Sequence, residues 1–275
     1  MCKKGGYSKI VSLVPVITNE VFGFSKNACL MVNYSKHKGG ALANATYITG
    51  TSIISWNHGD AIVRIKYNRA SPSVPLLSTS SVLDRVSTCC TAVDLNLLLI
   101  GYDSGSMAIY TFNRPLKVGS PIDDKNYAVK RLVGHSGAIS ALYISKEFSV
   151  AVSGGNDGQC LLWDLNKYCY VRSITEHENK VKLLVISPTL GDIVSVSDFE
   201  NGSTLKVNTI NGTNVGHIRT EIKIEAVCYS SAPEGVSVNV IATGFENGAI
   251  KLWSSWDLTA VRVITVDRFT APIKW

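Results

Sequence analysis

A ten-residue phrase recurs three times in this chain, as GYDSGSMAIY at Gly101–Tyr110, GGNDGQCLLW at Gly154–Trp163 and GFENGAIKLW at Gly244–Trp253. Each copy has a polar pair followed by Gly and then an apolar run that ends on an aromatic residue. A polar residue followed by Gly is typical of a β-hairpin turn, because these residues tolerate positive φ. The apolar run that follows is typical of a strand. A recurring hairpin predicts that the chain folds as an array of similar units.

The spacing of the copies indicates which array this is. The first two copies begin 53 residues apart and the last two begin 90 residues apart, which is twice 45. A degraded middle copy lies at Val194–Val207, where Asp198 and Gly202 bracket the turn and Val207 takes the aromatic position, and a further copy lies at 54–66. Periods of about 40–45 residues built from short strands are typical of propeller blades. We therefore expect an all-β propeller.

One unit carries a fuller pattern. Gly134 and His135 precede its first strand, and Trp163 and Asp164 end its third strand. This pattern resembles the WD-repeat family. The resemblance implies a buried hydrogen-bonded tetrad of His, Ser or Thr, Asp or Asn, and Trp in each complete unit. The matching residues form two predicted structural tetrads, namely His135, Ser153, Asp157 and Trp163, and His217, Thr243, Asn247 and Trp253.

The same residues allow a catalytic interpretation, because Ser153, His135 and Asp157 are the residue types of a hydrolase triad. A nucleophilic Ser of this kind needs a strained, exposed turn, and no GxSxG motif occurs in the sequence. A glycosidase needs two converging carboxylates, whereas the acidic residues here fall mostly in hairpin turns. The seven Cys residues include no CxxC pair. We expect no enzyme activity, no catalytic residue, no metal and no cofactor.

The net charge of +6 and the pI of about 8.9 raise the possibility of a nucleic-acid or acidic-lipid partner. The basic residues are spread along the chain, however, and no run of four occurs. They predict a mildly basic solvated surface and no nucleic-acid partner. No stretch reaches the roughly 18 apolar residues of a membrane span. The odd number of Cys residues and the lack of a secretory signal favour a cytoplasmic location.

The repeats predict a single propeller over residues 1–275, with units at roughly 10–70, 71–122, 123–170, 171–215 and 216–263 and the start of a truncated blade at 264–275. The Pro- and Ser-rich stretch 69–81 is expected to connect the first two units. A propeller has to close or leave sheet edges unpaired. Because WD-repeat rings most often have seven blades, about five blades predict an incomplete part of a seven-bladed ring, with a five-bladed ring as the alternative.

The last three units carry a more specific resemblance. VISPTLGDIVSVSD at Val185–Asp198 is followed by TINGTNVGHI at Thr209–Ile218 and by the segment Ala232–Thr265, which contains APEGVSVNVIATGFENGAIKLWSSWDL. These phrases are similar to the C-terminal propeller of BEACH-domain proteins. The resemblance implies a non-catalytic protein-interaction scaffold in vesicle and lysosome trafficking. It also implies partners among other proteins of membrane traffic and peripheral association with endosomal or lysosomal membranes through the parent protein.

In WD-repeat domains generally, partners bind the face that carries the loops before each first strand and the turns between the second and third strands. The resemblance therefore makes this face the candidate partner-binding surface, and its representatives here are Ser136, Asn156, Glu178, Arg219 and Glu246. The alternative function is a generic WD-repeat adaptor subunit of another cytosolic complex, such as a ubiquitin-ligase adaptor or an RNA-processing factor. The oligomeric state is not predicted.

Overall fold

The computed structural model describes the strands of residues 10–15, 21–25, 44–49, 52–56, 62–66, 74–78 and 86–92 at the level of the backbone, and side chains in 97–113, 127–230 and 239–265. All regular structure in these residues is β-strand, and the strands pair antiparallel. Strands β1 (Ile10–Pro15) and β2 (Val21–Ser25) form a two-stranded sheet. The remaining twenty strands form five four-stranded sheets, called blades 1 to 5 below.

Each blade is a meander in which consecutive strands lie side by side. Their bounds are, for blade 1, β3 Asn44–Thr49, β4 Ser52–Trp56, β5 Ile62–Lys66 and β6 Val74–Ser78; for blade 2, β7 Val86–Ala92, β8 Leu97–Tyr102, β9 Ser106–Phe112 and β10 Tyr127–Val133; for blade 3, β11 Ile139–Ser145, β12 Val150–Gly155, β13 Gln159–Asp164 and β14 Cys169–Glu176; for blade 4, β15 Val181–Ile186, β16 Ile193–Phe199, β17 Gly202–Asn208 and β18 Asn214–Thr220; and for blade 5, β19 Ile224–Tyr229, β20 Val240–Phe245, β21 Ile250–Ser254 and β22 Ala260–Ile264.

The first strands of the five blades, β3, β7, β11, β15 and β19, lie next to one another in series. This arrangement places the blades side by side around a common axis. The repeated phrase forms the hairpin between the second and third strands, as its composition predicts. In blade 3, Gly158 adopts φ +79° and its N–H donates to the carbonyl oxygen of Gly155 at 3.1 Å. The conformation is one that Gly adopts at little cost.

The hydrophobic core lies between successive blades. Alternate residues of a strand point to opposite faces, and both faces of blades 3 and 4 are buried against a neighbouring blade. Core residues that are no more than 1% exposed include Leu99, Met107, Ile109 and Trp163 between blades 2 and 3, Val152, Cys160, Val181 and Ile193 between blades 3 and 4, and Val194, Leu205, Ile224 and Ile241 between blades 4 and 5.

The blades begin and end later in the chain than the predicted units. The boundary predicted between 122 and 123 precedes β10, and that strand is the outer strand of blade 2, not the start of blade 3. The stretch 69–81, predicted as a connection, contains strand β6, which pairs with β5. Pro75 is compatible with that strand because β6 is an outer strand. It pairs with β5 on one side only, so a residue without a backbone N–H is tolerated there. A further blade was predicted to start at 264–275. Ile264 is the last residue of β22, and residues 266–275 lie outside the described part of the chain.

Five four-stranded antiparallel sheets in series confirm the all-β propeller and its predicted number of about five blades, and they fit an incomplete ring. The total of seven blades and the single domain over residues 1–275 stay predictions. In the part of the chain that the structure describes, no helix has the length and apolar character needed to cross a membrane.

Candidate functional site

In blade 3 the four residues of the first predicted tetrad form one continuous hydrogen-bonded chain. The indole N–H of Trp163 donates to Ser153 Oγ at 2.8 Å, and Ser153 Oγ lies 2.7 Å from His135 Nε2. His135 Nδ1 lies 3.0 Å from one carboxylate oxygen of Asp157 and 3.1 Å from the other. His135, Ser153 and Trp163 are buried. The chain links the loop before the blade to its second and third strands.

The Asp157 carboxylate holds this chain in place. It also accepts the backbone N–H of Ser136 at 2.8 Å and that of Gln159 at 3.1 Å. Burial alone would raise the pKa of Asp157, but the hydrogen bonds from Ser136, His135 and Gln159 outweigh it and leave the pKa below its usual value. An ionised Asp157 accepts from the Nδ1–H of His135, so Nε2 accepts from the Ser153 hydroxyl. Each group in the chain therefore donates to the next one, from the indole through the hydroxyl and the imidazole to the carboxylate.

Two glycines make room for the tetrad. A Cβ atom at Gly134 would lie 2.8 Å from the ring of Trp163. A Cβ atom at Gly155 would lie 2.4 Å from Asp157 Oδ1 and 2.5 Å from His135 Nδ1. Real Cβ atoms do not approach so closely, so a side chain at either position would displace a member of the tetrad. This close packing is the local reason for Gly beside His and for Gly ahead of the hairpin turn.

The geometry argues against the hydrolase interpretation of these residues. Ser153 is 0% exposed, and its oxygen is held by both Trp163 and His135. A nucleophile has to reach a substrate carbonyl, and this hydroxyl is closed off by the indole on one side and the imidazole on the other. The four residues therefore form a buried hydrogen-bonded connection between a loop and two strands.

The second predicted tetrad is not assembled. In blade 5 the indole N–H of Trp253 donates to Thr243 Oγ1 at 2.8 Å, as the resemblance implies. Asn247 uses its side-chain oxygen locally, to accept the N–H of Ala249 at 3.0 Å. The prediction for His217 is wrong, because this residue is exposed on the outer strand of blade 4, where it pairs with Lys206.

The error over His217 has a clear cause. His135 lies four residues before strand β11, and the corresponding position before β19 is Thr220. Gly216 and His217 imitate the Gly-His pair but fall inside β18. Phe245, buried in blade 5, stands at the position of Gly155, since both pair with the first residue of the inner strand. A bulky ring there fills space that the imidazole of a tetrad would need.

Blade 4 builds a different polar chain around a buried His. His177 Nε2 lies 2.8 Å from Ser195 Oγ, and His177 Nδ1 lies 2.8 Å from Ser197 Oγ. Ser197 stands at the position of Gly155, so its hydroxyl replaces the carboxylate of blade 3. Burial, and then the positive charge of Lys206, lower the pKa of His177 to about 4. The imidazole is therefore neutral at physiological pH.

Asp198 does not bind His177. Its carboxylate accepts from the Lys182 ammonium at 2.8 Å and from the Ser203 hydroxyl at 2.5 Å. Lys182 also donates to Glu225 of blade 5 at 3.0 Å. The three charged side chains form an ion cluster that joins the inner strands of blades 4 and 5.

The strand register also corrects the aromatic position of blade 4. In blade 3 Ala151 pairs with Trp163, and in blade 4 the equivalent residue Ile193 pairs with Asn208, not with Val207. Asn208 is buried, and its side-chain oxygen lacks a hydrogen-bond partner among the described residues. A one-residue shift in register exchanges the two faces of a strand, so Val207 instead packs towards blade 5.

The predicted partner-binding residues lie at one end of the blades, with one exception. Ser136 and Glu178 are exposed in the loops before β11 and β15, and Asn156 and Glu246 are exposed in the turns between second and third strands. Arg219, in contrast, is on strand β18 and not in a loop, because β18 extends to Thr220. We call the surface formed by these loops and turns the loop face.

Backbone contacts hold the loop face together. The N–H of Asn156 donates to the carbonyl oxygen of Ala138 at 2.8 Å, and that of Glu246 donates to Lys223 at 2.9 Å. Between neighbouring blades, the N–H of His177 donates to the carbonyl oxygen of Gly158 at 2.8 Å. These bonds do not depend on side-chain identity. The loop face therefore combines a defined backbone with exposed side chains that differ from blade to blade, which suits it to selective binding.

One feature of this region was not predicted. A cavity of about 310 Å³ lies against blade 4, and it is lined by residues of that blade and of the loop before it, namely His177, Glu178, Asn179, Ser197, Phe199, Thr204, Lys206, Asn214, His217 and Arg219. Glu178 and Arg219 form an ion pair across its mouth, with a distance of 3.3 Å between Oε1 and Nη2. The polar alternation of Thr204 and Lys206 along β17 was the sequence signal for this lining.

Comparisons with known proteins agree with this architecture. A family model described as "WD domain, G-beta repeat" matches residues 126–164, which cover β10 to β13 and the complete tetrad. The lysosomal-trafficking regulator of Homo sapiens is 38% identical over 263 residues, 95% of this chain. The protein of the same name from Drosophila melanogaster is 35% identical over 193 residues, 52% of the chain. BEACH domain-containing protein A2 of Arabidopsis thaliana is 24% identical over 209 residues, 73% of the chain.

The chain is a WD-repeat region of the BEACH type. The resemblance inferred from the sequence is thereby confirmed. This WD-repeat region spans 7% of the length of the human relative, 5% of the fly relative and 6% of the Arabidopsis relative.

Proposed function

We propose that this WD-repeat region is a non-catalytic protein-interaction scaffold in vesicle and lysosome trafficking. The observation that carries the proposal is the loop face, where exposed side chains are supported by backbone hydrogen bonds within and between blades. The buried state of the Ser153 hydroxyl supports a non-catalytic role for the tetrad. The trafficking role is supported by similarity to proteins named lysosomal-trafficking regulators.

The partners in this proposal are other proteins of membrane traffic. The region is cytoplasmic and reaches endosomal or lysosomal membranes peripherally, through the parent protein. Its task is to present binding side chains on a rigid frame. Such a frame loses little conformational entropy when it binds, which favours affinity for a given area of contact.

The experiment compares two variants of the full chain expressed in cells. Ser136→Arg with Asn156→Arg changes the loop face, and Asn166→Arg with Lys167→Glu changes the exposed turn at the opposite end of the same blade. Quantitative proximity labelling identifies the neighbours of each variant, and microscopy measures lysosome size and position.

We expect the loop-face variant to lose trafficking proteins from its neighbours and the opposite-end variant to keep them. Equal neighbours for both variants would argue against binding at the loop face. Neighbours dominated by ubiquitin-ligase subunits or RNA-processing factors would favour a generic adaptor over a trafficking scaffold.

A further inference from the structure

The cavity on blade 4 is built largely on two neighbouring strands of that blade. Thr204 pairs with Arg219 and Lys206 pairs with His217 in the β17–β18 register. Alternate residues of a strand share a face, so these four side chains point to the same side, towards blade 3. Leu205, which lies between Thr204 and Lys206, points the other way into the core shared with blade 5. The result is a polar platform made of a Lys, an Arg, a His and a Thr side chain.

The platform has hydrogen-bond donors to offer. Lys206 is half-buried, and one of its donors is used on the carbonyl oxygen of Glu176 at 2.6 Å. An ammonium has three donors. The guanidinium carbon of Arg219 lies 5.9 Å from the centre of the Phe199 ring. The positive charge of Lys206 contributes to the lowered pKa of His177, so it acts across the cavity.

The acidic residue at the cavity is a replaceable partner of Arg219. The side chains of Glu178 and Arg219 are 83% and 64% exposed, and their closest N–O distance is 3.3 Å. Ion pairs this exposed contribute little and exchange readily with solvent. A phosphate monoester carries more charge than a carboxylate and accepts the paired N–H groups of a guanidinium. It is therefore a stronger partner for Arg219 than Glu178 is, and Lys206 lines the same cavity.

The surroundings favour a phosphate carried by a protein over an anionic bilayer. The lining of the cavity includes Glu178 and Asn179 of the loop before β15 and Phe199 at the end of β16, so it reaches the loop face. The exposed residues Glu178, Glu200 and Glu221 lie on the same face. An anionic bilayer would meet all of these carboxylates at once and be repelled, whereas a single phosphorylated side chain meets chiefly the ones beside the cavity. A volume of about 310 Å³ is at the small end of the range for ligand pockets, which suits one side chain.

We propose that this cavity binds a phosphorylated Ser or Thr side chain of a partner protein, with Lys206 and Arg219 as the main phosphate ligands. The inference rests on the proposed function, since it names the class of partner that the loop face takes. Thr204, Asn179 and His217 line the cavity and supply further polar contacts.

The test uses the full chain and degenerate peptides with one fixed central phosphoserine, followed by fluorescence anisotropy. The same peptides with unmodified Ser are the first control, and vesicles that contain phosphatidylserine are the second. Lys206→Met and Arg219→Gln remove the charges of the cavity, while Glu178→Gln removes the competing carboxylate. Arg172→Gln is the matched control, because Arg172 is an exposed Arg on the outer strand of blade 3 that donates to the carbonyl oxygen of Asn211.

We expect phosphopeptide binding that weakens at least about tenfold in Lys206→Met and Arg219→Gln and is unchanged in Arg172→Gln. Glu178→Gln should tighten binding about two- to fivefold, a gain that an unfolded variant cannot show. Equal binding of phosphorylated and unmodified peptides, or binding of vesicles alone, would overturn the proposal. In either case a loop-face variant that still loses its trafficking neighbours would leave the scaffold function intact.

Discussion

Replacing Asp157 with Ala tests the central role of the tetrad in blade 3. The carboxylate accepts the Nδ1–H of His135 and the backbone N–H groups of Ser136 and Gln159, all within 3.1 Å. The variant removes these three hydrogen bonds at once. The imidazole side chain of His135 is 0% exposed, so its N–H loses its partner in a site with little access to water.

The cost follows from the surroundings of each donor. An unpaired donor in the buried imidazole costs about 1–3 kcal/mol. The N–H groups of Ser136 and Gln159 lie in an exposed and a half-buried residue, where water takes over, so each lost bond costs about 0.5 kcal/mol. We therefore expect Asp157→Ala to lower the free energy of unfolding by about 2–4 kcal/mol.

Urea unfolding of the full chain, followed by tryptophan fluorescence, measures this difference. Asp164→Ala is the matched control, since Asp164 accepts the backbone N–H groups of Asn166 and Lys167 in an exposed turn of the same blade. It loses two acceptor bonds without leaving a buried donor, at a cost of about 1 kcal/mol. Equal losses in the two variants would refute the reasoning, because the buried imidazole would then contribute nothing.

The pH dependence supplies a second readout of the same residue. The pKa of Asp157 in the folded chain lies below its ordinary value of 3.8. The stabilisation is therefore present above pH 3.8 and is lost as the pH falls through the lower pKa of the folded state. Asp157→Ala should lack this part of the acid loss. An unchanged acid slope in the variant would show that the carboxylate is not stabilised by folding.

Three further changes test other parts of the blades. Asn208→Leu should raise the free energy of unfolding in urea by about 1 kcal/mol, because it removes a buried oxygen that lacks a partner among the described residues; a lowered free energy of unfolding would show that this oxygen is satisfied. Lys182→Met should destabilise by about 1–3 kcal/mol, because Asp198 and Glu225 lose their shared cation; the loss should shrink when Glu225→Gln is added, and an unchanged loss in the double variant would contradict the shared cluster. The pKa of His177 falls from 6.5 to about 4 on folding, so the unfolded chain binds more protons between these values and stability decreases as the pH is lowered from 6.5 towards 4; urea midpoints across this range should change less in His177→Gln, and equal slopes would count against a buried neutral imidazole.

The fold could be predicted from the repeat because the determining signals are local. A polar pair and Gly define a hairpin within a few residues, and three copies at related spacings define an array. The blade boundaries were harder, because an outer strand such as β10 has no comparable signature. Its residues are mostly exposed, so its sequence is free to vary and only backbone pairing assigns it to blade 2.

The sites were predictable only where the whole pattern is present. In blade 3 the Gly-His pair, the turn Asp and the Trp all occur, and they meet in one hydrogen-bonded chain. His217 was assigned wrongly because the sequence of a Gly-His pair inside a strand is the same as that of a Gly-His pair in a loop. The polar chain of blade 4 was missed for another reason. Ser197 reaches its partner from the position of Gly155, so the same role is filled from a different place in the sequence.

The offset between repeat and blade has a consequence for how such a chain can gain or lose blades. The segment that matches the WD-repeat model, residues 126–164, contains the outer strand of blade 2 and three strands of blade 3. Deleting one such segment would still leave every sheet with four strands, because the next outer strand takes the vacated edge. The new edge is joined by main-chain hydrogen bonds, which tolerate a change of partner. The more demanding fit is the apolar face between blades, where residues such as Val181 must match whatever side chains arrive beside them.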